Sequence, residues 1–336
     1  MKSRPQILVT GAGGILSQQV IKRLKSSYRI VAVDFRQRVT IDDIPTYQVS
    51  FNKRGFEDIF RNHDFSGVIH LGRIGAFAMN RFSRYNANVL GTQKLLDLCL
   101  KYGVGQVLVL STYFVYGAHA YNPALIDETF PLKASELTRD LVDSVELENL
   151  ATIYLWKYPE LNITLLRPCN IAGPGVKNSL SQILKQERAP VLMGFSPLMQ
   201  FIHVEDMAEA IIVAFQKNKP AIYNVAPDDW ITYQDAVIQC GCSKMQIPSI
   251  PNILPLTLSK LISSTFRKFI NWKMIPSYLL NYFKYPVIID GSLFKKTFGF
   301  VPAHSLDDIF KYYRDVKQEM NLLAFVPTCE QHHDDD

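Results

Sequence analysis

Short apolar segments alternate with longer amphipathic segments along the first two-thirds of the chain. The apolar segments show little polar alternation, which is typical of strands buried on both faces of a parallel sheet. They are Gln6–Thr10, Ile30–Asp34, Val68–Leu71, Val107–Ser111 and Ile163–Arg167. The amphipathic segments predict helices over Ser17–Ser26, Phe56–Asn62, Arg81–Lys101 and Leu137–Tyr158. This alternation predicts an α/β fold of Rossmann type, a doubly wound parallel sheet with right-handed crossovers.

The pattern becomes less regular after about Pro174, where prolines are frequent. We therefore expect residues 1–174 to form mainly the Rossmann domain. Residues 175–325 are expected to form mainly a smaller C-terminal substrate-side or lid region that is interlaced with the same sheet. Residues 326–336 lack periodicity and are predicted to be a frayed tail.

The composition fits a chain that folds around a large core. Of 336 residues, 48% are hydrophobic and 20% are charged, which favours a globular protein over a disordered one. The formal net charge of +5 comes without a block of Lys and Arg residues, so nucleic acid is not an expected partner. The 5 cysteines form neither a disulfide framework nor a metal-binding pattern. No metal site is predicted, and this cysteine usage favours a reducing cytoplasm.

Membrane-spanning segments are not expected. The first strand begins by Gln6, which leaves no room for a signal peptide, and no apolar run reaches the roughly 20 residues needed to span a bilayer. The segment 254–285 is apolar and aromatic, with interspersed Lys and Arg and no acidic residue. It is interpreted either as a lid packed on the core or as a hydrophobic substrate cover or peripheral membrane or lipid contact. A homodimer stays an open alternative to a monomer.

A glycine-rich turn follows the first predicted strand, in the stretch ILVTGAGGILSQQVIKRL. Gly11 suits the unusual dihedral angles of such a turn, and Gly14 lets backbone N–H groups approach a pyrophosphate at the start of the next helix. Asp34 ends the following strand, where a carboxylate accepts hydrogen bonds from an adenosine ribose. NAD is favoured because a 2′-phosphate would meet a like charge. Arg36 and Arg38 weaken this preference, so NADP stays the less favoured alternative.

Six further segments follow this turn in order. They are VIHLGRIG (68–75), NVLGTQKLLDLC (88–99), VLVLSTYFVYG (107–117), LLRPCNIAGPG (165–175), QFIHVEDMAEAI (200–211) and YNVAPDDWITY (223–233). Together they closely resemble the extended short-chain dehydrogenase/reductase family, the NAD-dependent epimerase/dehydratases, which act largely on nucleotide sugars. The resemblance runs from about residue 6 to residue 315. It implies an NAD(P)-binding oxidoreductase that acts on a small molecule.

The resemblance also implies roles for individual residues. Thr112 matches the Ser or Thr that hydrogen-bonds the substrate oxygen, and Asn170 matches an asparagine near the substrate. His203 and Asp206 match positions that are mainly architectural. The cofactor contacts fall on Gly11, Gly13, Gly14, Ile15, Asp34, Leu71, Gly72 and Asn88, of which Asn88 is expected to fix the geometry of its helix.

The catalytic pair that the resemblance implies is missing from its expected place. The family uses Tyr-x-x-x-Lys, in which the phenol exchanges a hydroxyl proton and the lysine lowers the pKa of that phenol. Here the two positions hold Asp140 and Ser144. An aspartate, with a reference pKa of about 3.9, replaces a phenol only if burial raises its pKa strongly. Any displaced proton transfer is therefore expected at Asp140, Tyr116 or His119.

Two further departures affect substrate and cofactor binding. An arginine that often grips the diphosphate of a nucleotide sugar is replaced by Met199 and Gln200, and an aspartate that contacts adenine is replaced by Ser50. A phosphate site without its cation is weak. Two functions therefore stay open. The first is an atypical oxidoreductase that acts on a hydroxyl or keto substrate, sugar-like or lipid-like, and the second is a non-catalytic NAD(P)-binding sensor or structural protein.

Overall fold

The computed structural model describes residues 4–50, 53–75, 80–248 and 278–324, with side chains to residue 319. Its strands are β1 (Gln6–Thr10), β2 (Arg29–Asp34), β3 (Thr46–Gln48), β4 (Gly67–His70), β5 (Val107–Leu110), β6 (Ile163–Pro168), β7 (Asn170–Ala172), β8 (Arg188–Leu192), β9 (Leu198–Met199), β10 (Phe201–His203), β11 (Ala221–Val225), β12 (Ile231–Thr232) and β13 (Ser243–Ile247).

The α-helices lie between and beside these strands. They are α1 (Ile15–Leu24), α2 (Arg54–Asn62), α3 (Arg81–Tyr85), α4 (Gly91–Lys101), α5 (Ala134–Leu137), α6 (Val142–Lys157), α7 (Ser179–Leu184), α8 (Val204–Lys217), α9 (Tyr233–Gln239), α10 (Leu279–Tyr282), α11 (Ser292–Phe298) and α12 (Leu306–Ala324). A π-helical turn, Asn86–Leu90, joins α3 to α4, and short 3₁₀ turns occur at Tyr113–Tyr116, Arg139–Leu141 and Pro159–Leu161.

A seven-stranded parallel sheet forms the centre of the fold. Its strand order is β11-β6-β5-β4-β1-β2-β3, and every neighbouring pair is parallel. The predicted doubly wound α/β fold is confirmed. β11 comes from the region after residue 175 and pairs with β6, so this region contributes a strand to the main sheet. Two-stranded sheets pair β10 with β7, β12 with β9 and β13 with β8.

Apolar side chains pack on both faces of the sheet because successive residues of a strand point to opposite faces. In β1, Ile7 and Val9 belong to a cluster that includes α1 and α8, whereas Leu8 belongs to a second cluster that includes α2, α4 and α6. All three residues are fully buried. Burial on both faces explains why the predicted strands read as continuous apolar runs.

The helix predicted over Leu137–Tyr158 is not continuous, and this prediction is wrong at its N-terminal end. Thr138 is extended, with φ −153°, and its side chain accepts a hydrogen bond from the backbone N–H of Asp140. A 3₁₀ turn over Arg139–Leu141 follows before α6 begins. Thr138 acts as the N-cap of this 3₁₀ turn. This capped turn begins where α5 ends, so the backbone does not continue as one helix. Asp140 therefore precedes the helix that carries Ser144.

The apolar and basic segment 254–285 is only partly covered by the described residues. From Tyr278 onward, four of its side chains are buried, namely those of Tyr278, Leu279, Tyr282 and Phe283, whereas Leu280 and Tyr285 are half-buried. Residues 254–277 lie outside the described residues, as does the predicted tail 326–336. Among the helices that are described, none has the length and apolarity needed to cross a bilayer.

Candidate functional site

The glycine turn after β1 lies against the loop after β4 at the carboxyl edge of the sheet. Gly11 has φ +73°, and a Cβ atom at this position would lie 2.6 Å from Cα of Gly72. Both the backbone conformation and this contact therefore require glycine. Helix α1 begins at Ile15, with exposed Gly14 as its N-cap, no side-chain cap and no acidic residue in its first turn. Such an N-terminus presents backbone N–H groups to an anion.

Asp34 holds the glycine turn in place from the end of β2. Its carboxylate accepts hydrogen bonds from the backbone N–H groups of Gly13 at 2.9 Å, Arg36 at 2.9 Å and Gln37 at 3.2 Å. The side chain is buried. The side-chain amide of Gln37 packs on Gly13. A Cβ atom added at Gly13 would lie 1.7 Å from Nε2 of Gln37. The carboxylate thus lies beside the turn where the sequence predicts a ribose contact.

A dinucleotide fits this edge of the sheet. The glycine turn carries no side chain at Gly11 and Gly13, where a Cβ atom would collide with neighbouring atoms. Beside this turn, the N-terminus of α1 has no side-chain cap. Leu71 is half-buried and, with Gly72, forms the neighbouring loop. These features match what a pyrophosphate and an adjoining ribose require of a Rossmann edge.

His70 forms hydrogen bonds that connect the elements at this edge of the sheet. Its Nδ1 bonds Oγ1 of Thr10 at 2.7 Å and its Nε2 bonds Oγ1 of Thr92 at 2.9 Å. The Thr10 hydroxyl also accepts a hydrogen bond from the backbone N–H of Gly72. His70 is 2% exposed, and burial lowers its pKa to about 4. The imidazole is therefore neutral at physiological pH and links β1, β4 and α4.

When the pH falls from about 7 to about 5, we expect His70 to lower the free energy of unfolding by about 2 kcal/mol. The folded histidine stays neutral down to about pH 4, whereas an unfolded histidine takes up a proton near pH 6.5. Protons therefore favour the unfolded chain over this window. Urea unfolding of wild type and of His70→Gln at both pH values measures the effect as a shallower pH dependence in the variant.

The exposed and uncharged Gln186 gives the matched control for this experiment. Gln186→Ala removes no ionisable group, so this variant should keep the pH dependence of the wild type. Equal pH dependence in wild type and His70→Gln would contradict the assignment of a buried neutral imidazole.

Thr112 lies two residues after the end of β5 and caps the 3₁₀ turn Tyr113–Tyr116. Its Oγ1 accepts a hydrogen bond from the backbone N–H of Phe114 at 3.4 Å, and the residue is half-buried. The neighbouring Tyr113 donates its hydroxyl proton to Oδ1 of Asn170 at 2.9 Å, and Nδ2 of Asn170 donates to the carbonyl of Gln200 at 2.9 Å. The two predicted substrate residues thus lie at one edge, but both ends of the Asn170 amide already bind protein groups.

Gln200 occupies the position at which the resemblance implies an arginine. Its side chain is buried and binds only backbone groups in the described structure. Nε2 donates to the carbonyls of Pro227 at 3.1 Å and Ile289 at 3.2 Å, and Oε1 accepts from the N–H of Ile289 at 2.9 Å. This amide fastens two loops together, so it does not reproduce a cationic diphosphate contact.

Tyr116 belongs to a buried network of polar side chains. Its hydroxyl donates to Oδ1 of Asn224 at 2.6 Å and accepts from Nη1 of Arg167 at 2.7 Å. Arg167 also forms an ion pair with Glu148, whose carboxylate accepts a hydrogen bond from Ser111. Burial raises the pKa of Tyr116 to about 12. Proton exchange with a substrate would require this hydroxyl to leave both partners.

Arg73 approaches the position at which the family lysine is missing. Ser144 is buried in the first turn of α6, and its hydroxyl accepts a hydrogen bond from Nη2 of Arg73. Asp140 is half-buried in the preceding 3₁₀ turn, and its backbone carbonyl accepts from Nη2 of Arg84 at 2.7 Å. Two guanidinium groups therefore lie beside the altered positions. The signal for Arg73 was the motif VIHLGRIG, in which a cation directly follows Gly72.

Asn88 fixes the loop that carries Arg73. Its side chain accepts from the N–H of Ile74 at 2.9 Å and donates to the carbonyl of Ile74 at 3.0 Å. It also donates to Asp143 at 2.6 Å, and Asp143 forms a buried ion pair with Arg84 at 3.0 Å. The predicted cofactor residue Asn88 is itself buried. It therefore orients the loop after Gly72 through the backbone.

The described histidines show local structural contacts. His119 accepts a hydrogen bond at Nδ1 from the backbone N–H two residues later. His203, Glu205 and His304 have ligand atoms within 4.8 Å of one another, a spacing that a metal ion could bridge. However, the two rings stack at 3.9 Å and 23°, so their in-plane lone pairs do not converge. His203 is the N-cap of α8 and accepts a hydrogen bond from the backbone N–H of Glu205, and His304 binds Asp206. We therefore interpret the cluster as structural contacts at the start of α8.

The chain matches the model of the NAD dependent epimerase/dehydratase family over residues 7–226, which is more than half of its length. It belongs to this family. The family resemblance seen in the sequence motifs is confirmed. The glycine turn, Thr112 and Asn170 all lie inside the matched region.

Similar proteins cover most of the chain at low identity. An uncharacterized protein of Mycobacterium tuberculosis is 22% identical over 91% of this chain and 83% of its own length. The UDP-glucose 4-epimerase of Caenorhabditis elegans is 25% identical over 63% of this chain and 74% of its own length. The structure of MoeE5 in complex with UDP-glucose and NAD has a TM-score of 0.72 at 20% identity, covering 94% of this chain and 99% of that one. This likeness establishes the common fold.

Proposed function

We propose that this protein binds NAD(H) at the glycine edge and acts as an atypical oxidoreductase on a hydroxyl or keto substrate. The contact between Gly11 and Gly72 beside the uncapped N-terminus of α1 supports this proposal most strongly. The nicotinamide ring, when bound, supplies or takes up a hydride. The family match and the NAD named for the similar MoeE5 structure support the same cofactor.

The residues at the edge divide the work of binding. The backbone N–H of Gly14 already donates to the carbonyl of Gly11, so the N–H groups of Ile15 and Leu16 in the first turn of α1 would bind the pyrophosphate. Asp34 would accept hydrogen bonds from the adenosine ribose. Thr112, half-buried at the end of β5, would donate a hydrogen bond to the substrate oxygen. Asn170 would support this contact through Tyr113, to which it is already bonded.

The substrate class is proposed as a sugar-like or lipid-like compound. UDP-glucose is named for the MoeE5 structure and for the epimerase relative, which favours a sugar. The backbone bonds of Gln200 remove one expected diphosphate contact, which argues against an ordinary nucleotide sugar.

The four described cysteines are free and buried, in keeping with a reducing cytoplasm, where we place the protein.

NADH should bind about 10-fold more tightly than NADPH, because the carboxylate of Asp34 would face the added 2′-phosphate. Fluorescence titration of the reduced cofactors measures both affinities. Arg36→Ala should widen the difference, since Arg36 is the nearest cation along the chain to this carboxylate. Equal or inverted affinities would mean that the arginines outweigh Asp34.

A second candidate function is a non-catalytic NAD(P)-binding sensor or structural protein. Asp140 and Ser144 at the positions of the Tyr-x-x-x-Lys pair favour it. Incubation of the NAD⁺ complex with UDP-glucose separates the two functions, and nicotinamide fluorescence measures any reduction of the bound NAD⁺. Reduction would contradict the second function. Tight NADH binding without reduction by UDP-glucose, by simple sugars or by long-chain alcohols would favour the second function.

A further inference from the structure

The guanidinium of Arg73 lies at the place where the family lysine is missing. Its Nη2 donates a hydrogen bond to the hydroxyl of Ser144, which is buried in the first turn of α6. Arg73 belongs to the loop after β4 and directly follows Gly72. Its side chain therefore spans from the end of β4 to α6. It brings a cation to a position whose own residue is uncharged.

The order of the strands places this cation on the nicotinamide side of the proposed cofactor site. The chain runs outward from β1 through β2 and β3, returns to β4 beside β1, and then runs outward through β5 and β6 on the other side. A dinucleotide binds across such a switch point. Asp34, at the end of β2, is proposed to bind the adenosine ribose, so the second nucleotide would extend over the ends of β4 and β5. The loop that carries Arg73 leaves β4 at this edge.

Contacts on both sides of Arg73 fix the backbone of this loop. Before it, Gly72 packs on the glycine turn, and the backbone N–H of Gly72 donates to the hydroxyl of Thr10 at 3.2 Å. After it, the side chain of Asn88 binds the N–H of Ile74 at 2.9 Å and the carbonyl of Ile74 at 3.0 Å. The guanidinium is therefore presented from a fixed backbone.

The charge of Arg73 is not neutralised by an ion pair. Burial lowers the pKa of Arg73, and the carboxylates of Asp143 and Glu148 act to raise it, so the guanidinium stays protonated at neutral pH. Each of these carboxylates already forms an ion pair with another arginine, Asp143 with Arg84 at 3.0 Å and Glu148 with Arg167. Arg73 itself pairs with no carboxylate in the part of the chain that the structure describes, and its hydrogen bond goes to an uncharged hydroxyl. One positive charge is therefore left over at this edge.

We propose that the Arg73 guanidinium makes the cofactor site favour NADH over NAD⁺. This inference rests on the proposed function, which supplies NAD(H) as the ligand. The oxidised nicotinamide ring carries a positive charge and the reduced ring is neutral, whereas the rest of the dinucleotide is the same in both forms. A fixed cation on the nicotinamide side repels only the oxidised ring. Because Arg73 is half-buried and Ser144 is buried, salt screens this repulsion weakly.

Such a preference gives the bound cofactor a direction. A tenfold tighter binding of NADH raises the reduction potential of the bound two-electron couple by about 30 mV. Bound NAD⁺ is then a stronger hydride acceptor than free NAD⁺. Arg73 therefore favours oxidation of a hydroxyl substrate over reduction of a keto substrate.

The ratio of two dissociation constants, that of NAD⁺ over that of NADH, tests the inference without a substrate. Titration calorimetry gives both constants for each variant, and a general loss of affinity cancels in the ratio. The ratio should be about 10 or more in the wild type, and Arg73→Met should lower it by about 10-fold. Arg73→Met combined with Ser144→Lys should restore most of the ratio, because the lysine returns the charge to this position on α6.

Arg139→Met is the matched control, because it removes an exposed guanidinium from the 3₁₀ turn just before α6. Water and salt screen that charge, so its ratio should stay within about twofold of the wild-type ratio. An unchanged ratio in Arg73→Met would overturn the inference and leave the proposed function standing, as would an equal fall in Arg139→Met. A wild type that binds neither form of the cofactor would overturn the proposed function and the inference together.

Discussion

Glu148→Ala is expected to lower the free energy of unfolding by about 3–5 kcal/mol. Glu148 is fully buried in α6, and its carboxylate binds both Arg167 and Ser111. Although burial acts to lower it, the carboxylate of Glu148 raises the pKa of Arg167, so the guanidinium stays charged. Removing the carboxylate leaves this charge in the core without its counter-ion. Urea unfolding followed by circular dichroism measures the change.

Two further variants isolate the buried charge from simple helix effects. Glu146→Ala changes an exposed residue of the same helix and should alter the free energy of unfolding by less than about 0.5 kcal/mol. The double variant Glu148→Met with Arg167→Met should recover much of the loss, because no unpaired charge remains. A Glu148→Ala protein within about 1 kcal/mol of wild type would show that the ion pair is not a main support of the fold.

Gly11→Ala is expected to weaken NADH binding by about 100-fold or more. The added methyl group would lie 2.6 Å from Cα of Gly72, and both atoms belong to backbone segments that cannot rotate away. The two loops must then separate at the place where the pyrophosphate is proposed to bind. Titration of NADH fluorescence measures the loss.

Gly103→Ala is the matched control for this substitution. Gly103 has φ +67°, close to the φ of Gly11, but a Cβ there would meet nothing within 4 Å. This variant should lose about 1–2 kcal/mol of stability through backbone strain alone and keep its affinity for NADH. Wild-type affinity in Gly11→Ala would contradict the proposed cofactor site.

The sheet could be predicted closely from the sequence because parallel strands are buried on both faces. β1 and β6 begin at the expected residues, Gln6 and Ile163, since their apolar runs leave little choice of boundary. The interruption before α6 was missed for a local reason. The amphipathic pattern continues through Thr138, whereas one side-chain hydrogen bond decides that the backbone turns there.

The candidate site could be predicted only where it depends on neighbouring residues in the chain. Gly11 and Thr112 lie in short motifs whose local geometry follows from strand, turn and helix. The contact of Arg73 with Ser144 joins residues 71 positions apart, and the hydrogen bond of Tyr113 with Asn170 joins residues 57 positions apart. A single sequence carries no signal for such pairings, because they depend on how separate elements pack.

The place of β11 at the edge of the main sheet limits how the chain can be divided. All six residues of β6 are buried, and β11 covers the edge of β6 that β5 leaves open. A fragment ending near residue 174 would expose that edge, and an unpaired apolar strand readily pairs with other chains. We therefore expect that residues 1–174 do not form a separable module for expression or grafting, although the sequence pattern changes at that point.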